Sequence, residues 1–186
     1  AVPMNVWNRF LKRSFDIVVS FFILILLSPV MVLIGVLVKL TSKGPLFYKQ
    51  ERVGLDGQKF MMLKFRSMRI DAELSGPQMA TRNDDRYTPI GRYLRKYSLD
   101  ELPQFLNVLI GNMSIVGPRP EREFFINTMK ESIHRYLERH RVKCGITGWA
   151  QVNGARGTDS SMQTRIDYDI YYIENWSLAL DIKIIF

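Results

Sequence analysis

Between residues 17 and 38 the chain is almost wholly apolar, interrupted only by Ser20, Ser28, Pro29 and Gly35. At ~1.5 Å per residue a straight helix of this length just spans the ~30 Å hydrocarbon layer of a bilayer. Two features point elsewhere. Pro29 has no amide to donate and its ring crowds the carbonyl of Ile25, which predicts a bend, while the Ser28 hydroxyl can satisfy a carbonyl set free there. Both flanks are basic, with Arg9, Lys12 and Arg13 before and Lys39, Lys43 and Lys49 after, and this favours the cytoplasmic side for each end. A segment that enters, turns at Ser28-Pro29 and returns satisfies both features. A kinked spanning helix satisfies the length. The residues alone leave the two open.

The rest of the pattern predicts an α+β fold that is mainly helical. Residues 46–53 and 59–66 read as extended runs around Asp56-Gly57, a small β-hairpin. Residues 73–88 are polar and read as a long loop. Helices are expected over 90–97 and 102–110, the second closed by Gly111-Asn112. Phe125, Met129, Ile133 and Leu137 recur every four residues and predict an amphipathic helix. Gly145, Gly148, Gly154 and Gly157 punctuate an irregular stretch. The aromatic and aliphatic tail, residues 171–186, suits an interfacial helix or a buried core helix equally.

Composition narrows the partners. The 186 residues carry a formal net charge of +8, which suits phosphates, an acidic lipid surface or nucleic acid. Cys144 is the sole cysteine, so no internal disulfide forms; with only His134 and His140 beside it, a bound metal must rely on oxygen ligands, and Mg2+ is the expected ion. The start at Ala1 and the apolar run into Phe186 read as a piece of a longer chain.

Three constellations could do chemistry. In Ser98-Leu99-Asp100-Glu101-Leu102-Pro103-Gln104, Ser98 and Glu101 match a capping box, so one reading is a plain helix start. The other is catalytic: a carboxylate can attack phosphorus covalently, and its neighbour can help to hold magnesium. Gly117-Pro118-Arg119-Pro120 presents Arg119 from a stiff loop, ready to fork onto phosphate oxygens or simply solvated. Lys64 and Arg66, two apart on one predicted strand, and Arg92, Arg95 and Lys96 before the acidic pair complete a basic surround.

Taken together, Lys64-Phe65-Arg66-Ser67-Met68, the run from Gly91-Arg92 through Asp100-Glu101-Leu102-Pro103-Gln104, Asn107-Val108-Leu109-Ile110-Gly111-Asn112 with Gly117-Pro118-Arg119-Pro120, and Gly145-Ile146-Thr147-Gly148-Trp149-Ala150-Gln151-Val152-Asn153-Gly154 closely resemble the bacterial sugar transferase family, the monotopic phosphoglycosyl transferases. Four motifs in one order cover nearly the whole chain. The resemblance implies that Ser28-Pro29 breaks a re-entrant helix within a membrane-associated part, 1–41, leaving a cytoplasmic catalytic region, 42–186, on the bacterial inner membrane. It implies that Asp100 attacks the β-phosphate of a UDP-sugar, that UMP leaves, and that polyprenol (undecaprenyl) phosphate takes the phosphosugar, a first step of exopolysaccharide, capsule or O-antigen assembly. Mg2+ would lie near Asp100 and Glu101, and Arg95, Arg119, Lys64, Arg66 and Arg156 would contact substrate phosphates. Glucose or galactose is the implied sugar; inner-leaflet phospholipids and a second copy of the chain are the further implied partners. Cys144 departs from the family pattern, which has proline before Gly145. Two rivals stand beside this: a nonenzymatic membrane-surface module, suggested by the basic hairpin and aromatic tail, and a nucleic-acid binder, which rests on net charge alone and lacks a stacking platform or recognition-helix motif.

Overall fold

The computed structural model describes residues 5–74, 76, 84–155 and 161–186. Helix α1 (Val6–Thr41) opens the chain, capped by the Asn5 side chain, which accepts from the Asn8 amide at 2.8 Å. It is helical without interruption through Pro29. The carbonyl that Pro29 leaves without an amide is that of Ile25, and Ser28 Oγ donates to it at 2.8 Å, as the pattern of these residues predicts. Among the described residues α1 is the one helix long and apolar enough to cross a membrane.

Both ends of α1 rest on the same protein body. Near its start Lys12 Nζ donates to Asp181 Oδ2 at 2.6 Å, and Asp16 Oδ1 accepts from Ser114 Oγ and the Ile115 amide, both at 3.0 Å. Near its end Ile34 and Val38 bury against Phe65 and Leu94. Between these anchors the faces of Phe21, Phe22, Ile25 and Leu26 are each more than half exposed. Apolar surface of that extent, left uncovered on a monomer, marks a contact with lipid or protein.

The hairpin forms as expected. Strands β1 (Phe47–Val53) and β2 (Lys59–Phe65) pair antiparallel, Phe47 opposite Phe65 and Val53 opposite Lys59. Asp56 and Gly57 both take left-handed φ, 52° and 76°, which is why an Asp-Gly pair suits this turn. Helix α2 (Gly91–Lys96) and helix α3 (Gln104–Ile110) follow, and Gly111 ends α3 at φ 97°.

Strand β3 (Ser114–Val116) pairs in parallel with β4 (Gly145–Thr147). This short parallel pair is where the glycine pattern finds its reason. A Cβ on Gly145 would stand 2.1 Å from the Gly117 amide nitrogen, and one on Gly117 would stand 2.4 Å from the Lys143 carbonyl oxygen. Only glycine lets these backbones come so close. Helix α4 (Glu123–Met129), helix α5 (Trp149–Val152), helix α6 (Met162–Glu174) and helix α7 (Leu178–Ile185) pack around the pair. Val108, Met113, Val116, Ile166 and Tyr172 form its centre, each with 1% exposure or less.

One expectation needs correction, and one left open is decided. The helix read from Phe125 to Leu137 stops at Met129, and a separate turn of 3-10 helix covers Tyr136–Arg141. There Leu137 is exposed while Tyr136 and Arg139 are buried, because Arg139 reaches Asp169 of α6 at 2.8 Å. A buried ion pair sets the register, and the apolar period loses. Of the two readings of the tail, part of the core-helix one holds: α7 buries Asp181 and Ile184 while Ile182 and Phe186 stay exposed. Asp181 accepts from Lys12 and from Tyr172 Oη at 2.7 Å, so the helix is held by charge as well as by apolar contact.

Candidate active site

Three pieces of chain meet at Glu101. The turn Leu99–Glu101 is 3-10 helix, entered through Ser98 with a left-handed φ of 55°. Ser98 caps nothing with its side chain, so the predicted capping box does not form. Glu101 turns instead to the hairpin and to the loop after β3. Its Oε1 accepts from Lys64 Nζ at 2.8 Å and from Arg119 Nη2 at 2.7 Å, and its Oε2 from Arg119 Nη1 at 3.4 Å. Burial alone would raise the Glu101 carboxyl, but Arg119 and Lys64 outweigh it and hold the group well below its ordinary value of 4.5.

Lys64 is brought there by β2, and β2 is fixed on α3 by one side chain. Asn107 accepts from the Leu63 amide at 2.9 Å and donates to the Met61 carbonyl at 2.8 Å, as a neighbouring strand would. Burial lowers the Lys64 ammonium, with Glu101 opposing. Arg119 keeps 39% of its side chain exposed, enough to meet a ligand without leaving Glu101.

Asp100 differs from its neighbour. It is 3% exposed and accepts no hydrogen bond from another described residue, although Lys64 and Arg95 lie close enough to favour its charge. Burial pushes its carboxyl above the ordinary 3.8, and the Glu101 charge adds to the rise. The arrangement therefore contains two adjacent carboxylates in different states. Glu101 is ionised and engaged by two cations; Asp100 is buried, bonded among the described residues only by its own backbone amide, and has Lys64 and Arg95 nearby.

The remaining sequence candidates fall in different places. Arg95 flanks the site and stacks its guanidinium over the Tyr87 ring, 5.4 Å from its centre. Arg66 lies just past β2 and points away: its three nitrogens donate to the carbonyls of Pro45, Lys43 and Ser42 at 2.7, 2.7 and 2.9 Å. It fastens the loop that follows α1. Arg156 lies outside the described residues. Sequence reading missed Asn107, Glu121, Arg52 and Arg139, which hold the site's parts in place; a charged residue directly after Pro-Arg-Pro was the available signal.

A buried carboxylate near Lys64 and Arg95, beside a half-exposed arginine, is an arrangement that can hold an anionic ligand. The family model for bacterial sugar transferases matches residues 7–186, and the chain belongs to this family. It is similar to the UDP-glucose:undecaprenyl-phosphate glucose-1-phosphate transferase of Escherichia coli K12, 49% identical over 99% of this chain and 40% of the relative. A protein of the same name from Xanthomonas campestris is 51% identical over 94% of this chain and 37% of its own length. The UDP-N-acetylgalactosamine-undecaprenyl-phosphate N-acetylgalactosaminephosphotransferase of Aeromonas hydrophila is 44% identical over 95% of this chain and 42% of its length. The chain thus spans about two fifths of these relatives.

The state of Glu101 has a measurable consequence. A carboxyl depressed on folding stabilises the native state fully above its unfolded value and loses that contribution as pH falls toward the folded one. Glu101→Gln, which leaves Lys64 and Arg119 without their counter-charge, is expected to unfold at lower temperature than wild type at pH 7. That gap should narrow as pH falls below 4.5. Thermal unfolding in detergent across pH 3 to 8 checks it; a gap that does not change with pH would remove the ion pairs from the account.

Proposed function

We propose that this chain carries the phosphoglycosyl transferase activity for which its relatives are named, moving a hexose 1-phosphate from a UDP-sugar to undecaprenyl phosphate. The observation that carries the reading is the contrast within the dyad. Glu101 is committed to Lys64 and Arg119, so Asp100 is the carboxylate left to react. In the first step an Asp100 oxygen attacks the β-phosphorus, the bond from that phosphorus to the bridging oxygen breaks, and UMP leaves with the bond's electrons. A phosphosugar is then bound to Asp100 as an acyl phosphate. In the second step an oxygen of undecaprenyl phosphate attacks the same phosphorus, and the Asp100 carboxylate is released. Splitting the transfer in this way lets one site serve a soluble donor and a lipid acceptor in turn.

Lys64, Arg95 and Arg119 orient the diphosphate and offset charge on the departing phosphate. Magnesium, when bound, neutralises phosphate charge in the same way. Among the described residues no cluster of three or more acidic, cysteine or histidine side chains could hold a metal. Magnesium is commonly bound through one or two carboxylates plus substrate phosphates and water. Asp100 fits that role; Glu101 fits it less well, because binding a metal would compete with Arg119 and Lys64.

The apolar helix supports a membrane-bound reading in which both ends of α1 stay on the cytoplasmic face of the inner membrane. Lys12 and Asp16 at one end and Ile34 and Val38 at the other pack on one body, an arrangement that suits a helix dipping in and out at Ser28-Pro29. On this reading 1–41 forms the membrane part and 42–186 the catalytic part.

Two outcomes are expected. With magnesium, UDP-glucose and undecaprenyl phosphate, the purified protein releases UMP; Asp100→Asn lowers turnover by about 1,000-fold or more. The rate should fall as pH falls through the raised Asp100 value, since only the ionised carboxylate attacks. Release of UDP would mean ordinary glycosyl transfer. For topology, tags at Ala1 and at Gly57 should be reached from the same side in sealed vesicles, whereas opposite accessibility would restore a spanning helix.

A further inference from the structure

The loop that presents Arg119 is held by more than its prolines. Four successive carbonyls are taken. Pro118 O accepts from the Gly145 amide at 2.9 Å, Arg119 O from Arg139 Nη2 at 2.8 Å, Pro120 O from Arg52 Nη1 at 3.0 Å, and Glu121 O from the Val53 amide at 3.1 Å. Two of the four donors are guanidiniums from distant parts of the chain, and both come to one carboxylate. Glu121 lies 3.8 Å from Arg52 and 4.0 Å from Arg139, and accepts from Arg165 at 3.2 Å.

The cluster is almost closed to water: Arg139 and Asp169 are 2% exposed and Glu121 is 8% exposed. Burying so many charges is costly, and apolar packing of the same volume stabilises as well or better. Stability therefore does not account for it. Direction does. A guanidinium offers its donors in a fixed plane, so Arg52 can meet Gln50 Oε1 at 2.6 Å and the Pro120 carbonyl at once. A lysine ammonium at the end of a flexible stem has no such fork.

We propose that Arg52 and Arg139, gathered by Glu121, are positioning residues for Arg119. They fix the carbonyls of Arg119 itself and of the residue that follows it, so that the guanidinium stands preorganised toward the donor's diphosphate instead of being drawn into place on binding. They touch no substrate themselves. The inference rests on the phosphate role proposed above for Arg119. Small misplacements of a charge-stabilising group cost large factors in affinity and rate, so loosening this loop should be visible at the donor side only.

A double-mutant cycle tests it, with UDP as the probe and binding measured directly in detergent. Arg52→Lys should weaken UDP binding by about 10-fold and raise the UDP-sugar KM in step, leaving the KM for undecaprenyl phosphate unchanged. In an Arg119→Ala background the same change should cost less than about 2-fold, because the group it positions is gone. Gln50→Ala, which removes the acceptor that orients Arg52 along with a bond to Tyr48 on the hairpin, should move UDP binding in the same direction by a few fold and covers the case in which Arg52→Lys does not fold. Equal effects in the two backgrounds, or an acceptor KM that rises with the donor KM, would overturn the positioning role while leaving that of Arg119. If Arg119→Ala alone leaves UDP binding unchanged, both fall.

Discussion

Glu101 joins three elements that the chain keeps far apart. Through Lys64 it holds the hairpin, through Arg119 it holds the loop after β3, and by its own place in the turn it fixes the residue before it. Partly buried ion pairs of this kind are weak contributors to stability, because desolvation offsets much of the attraction. Their value lies in geometry. With Glu101 committed to two cations, Asp100 is left buried next to the same positive charge but bonded to none of it. The chemical asymmetry of the dyad follows from this division, not from any difference between the two side chains.

The second constraint is the shared body beneath α1. Arg13 donates to the Leu109 carbonyl at the end of α3, and Asp16 binds the first residues of β3, so the long apolar helix is tied to the segment leading into Gly117 and Arg119. At its other end Ile34 and Val38 close over Phe65, next to Lys64. Both cationic partners of Glu101 are thus carried by elements that α1 covers. On the proposed function, a lipid-bound phosphate and a soluble nucleotide would meet at this place without either crossing the protein.

Much of this was legible in the residues, and what was not has physical causes. The hairpin was readable because Asp56-Gly57 suits left-handed backbone, and the end of α3 because Gly111 does too. The dyad and the Pro-Arg-Pro loop were visible as local strings. The capping box was misread because a local side-chain bond competes with tertiary ones: Ser98 takes a left-handed turn and Glu101 finds two cations instead. Arg66 could not be told from Lys64, since only the fold shows that the loop at Ser42, Lys43 and Pro45 captures it. Likewise the period from Phe125 to Leu137 gave no hint that Arg139 would bury itself on Asp169. Buried charge is invisible to hydrophobic patterning, and here it fixes the parts around the site.

Whether Asp100 forms a covalent bond to phosphorus is the claim on which the others turn. Intact-protein and peptide mass spectrometry of enzyme mixed with UDP-glucose and magnesium, quenched without acceptor, addresses it directly. The account predicts a phosphohexose on the peptide containing Asp100, lost on adding undecaprenyl phosphate and absent from Asp100→Asn. A protein that turns over fully while carrying no adduct, or carrying it on another residue, would contradict it.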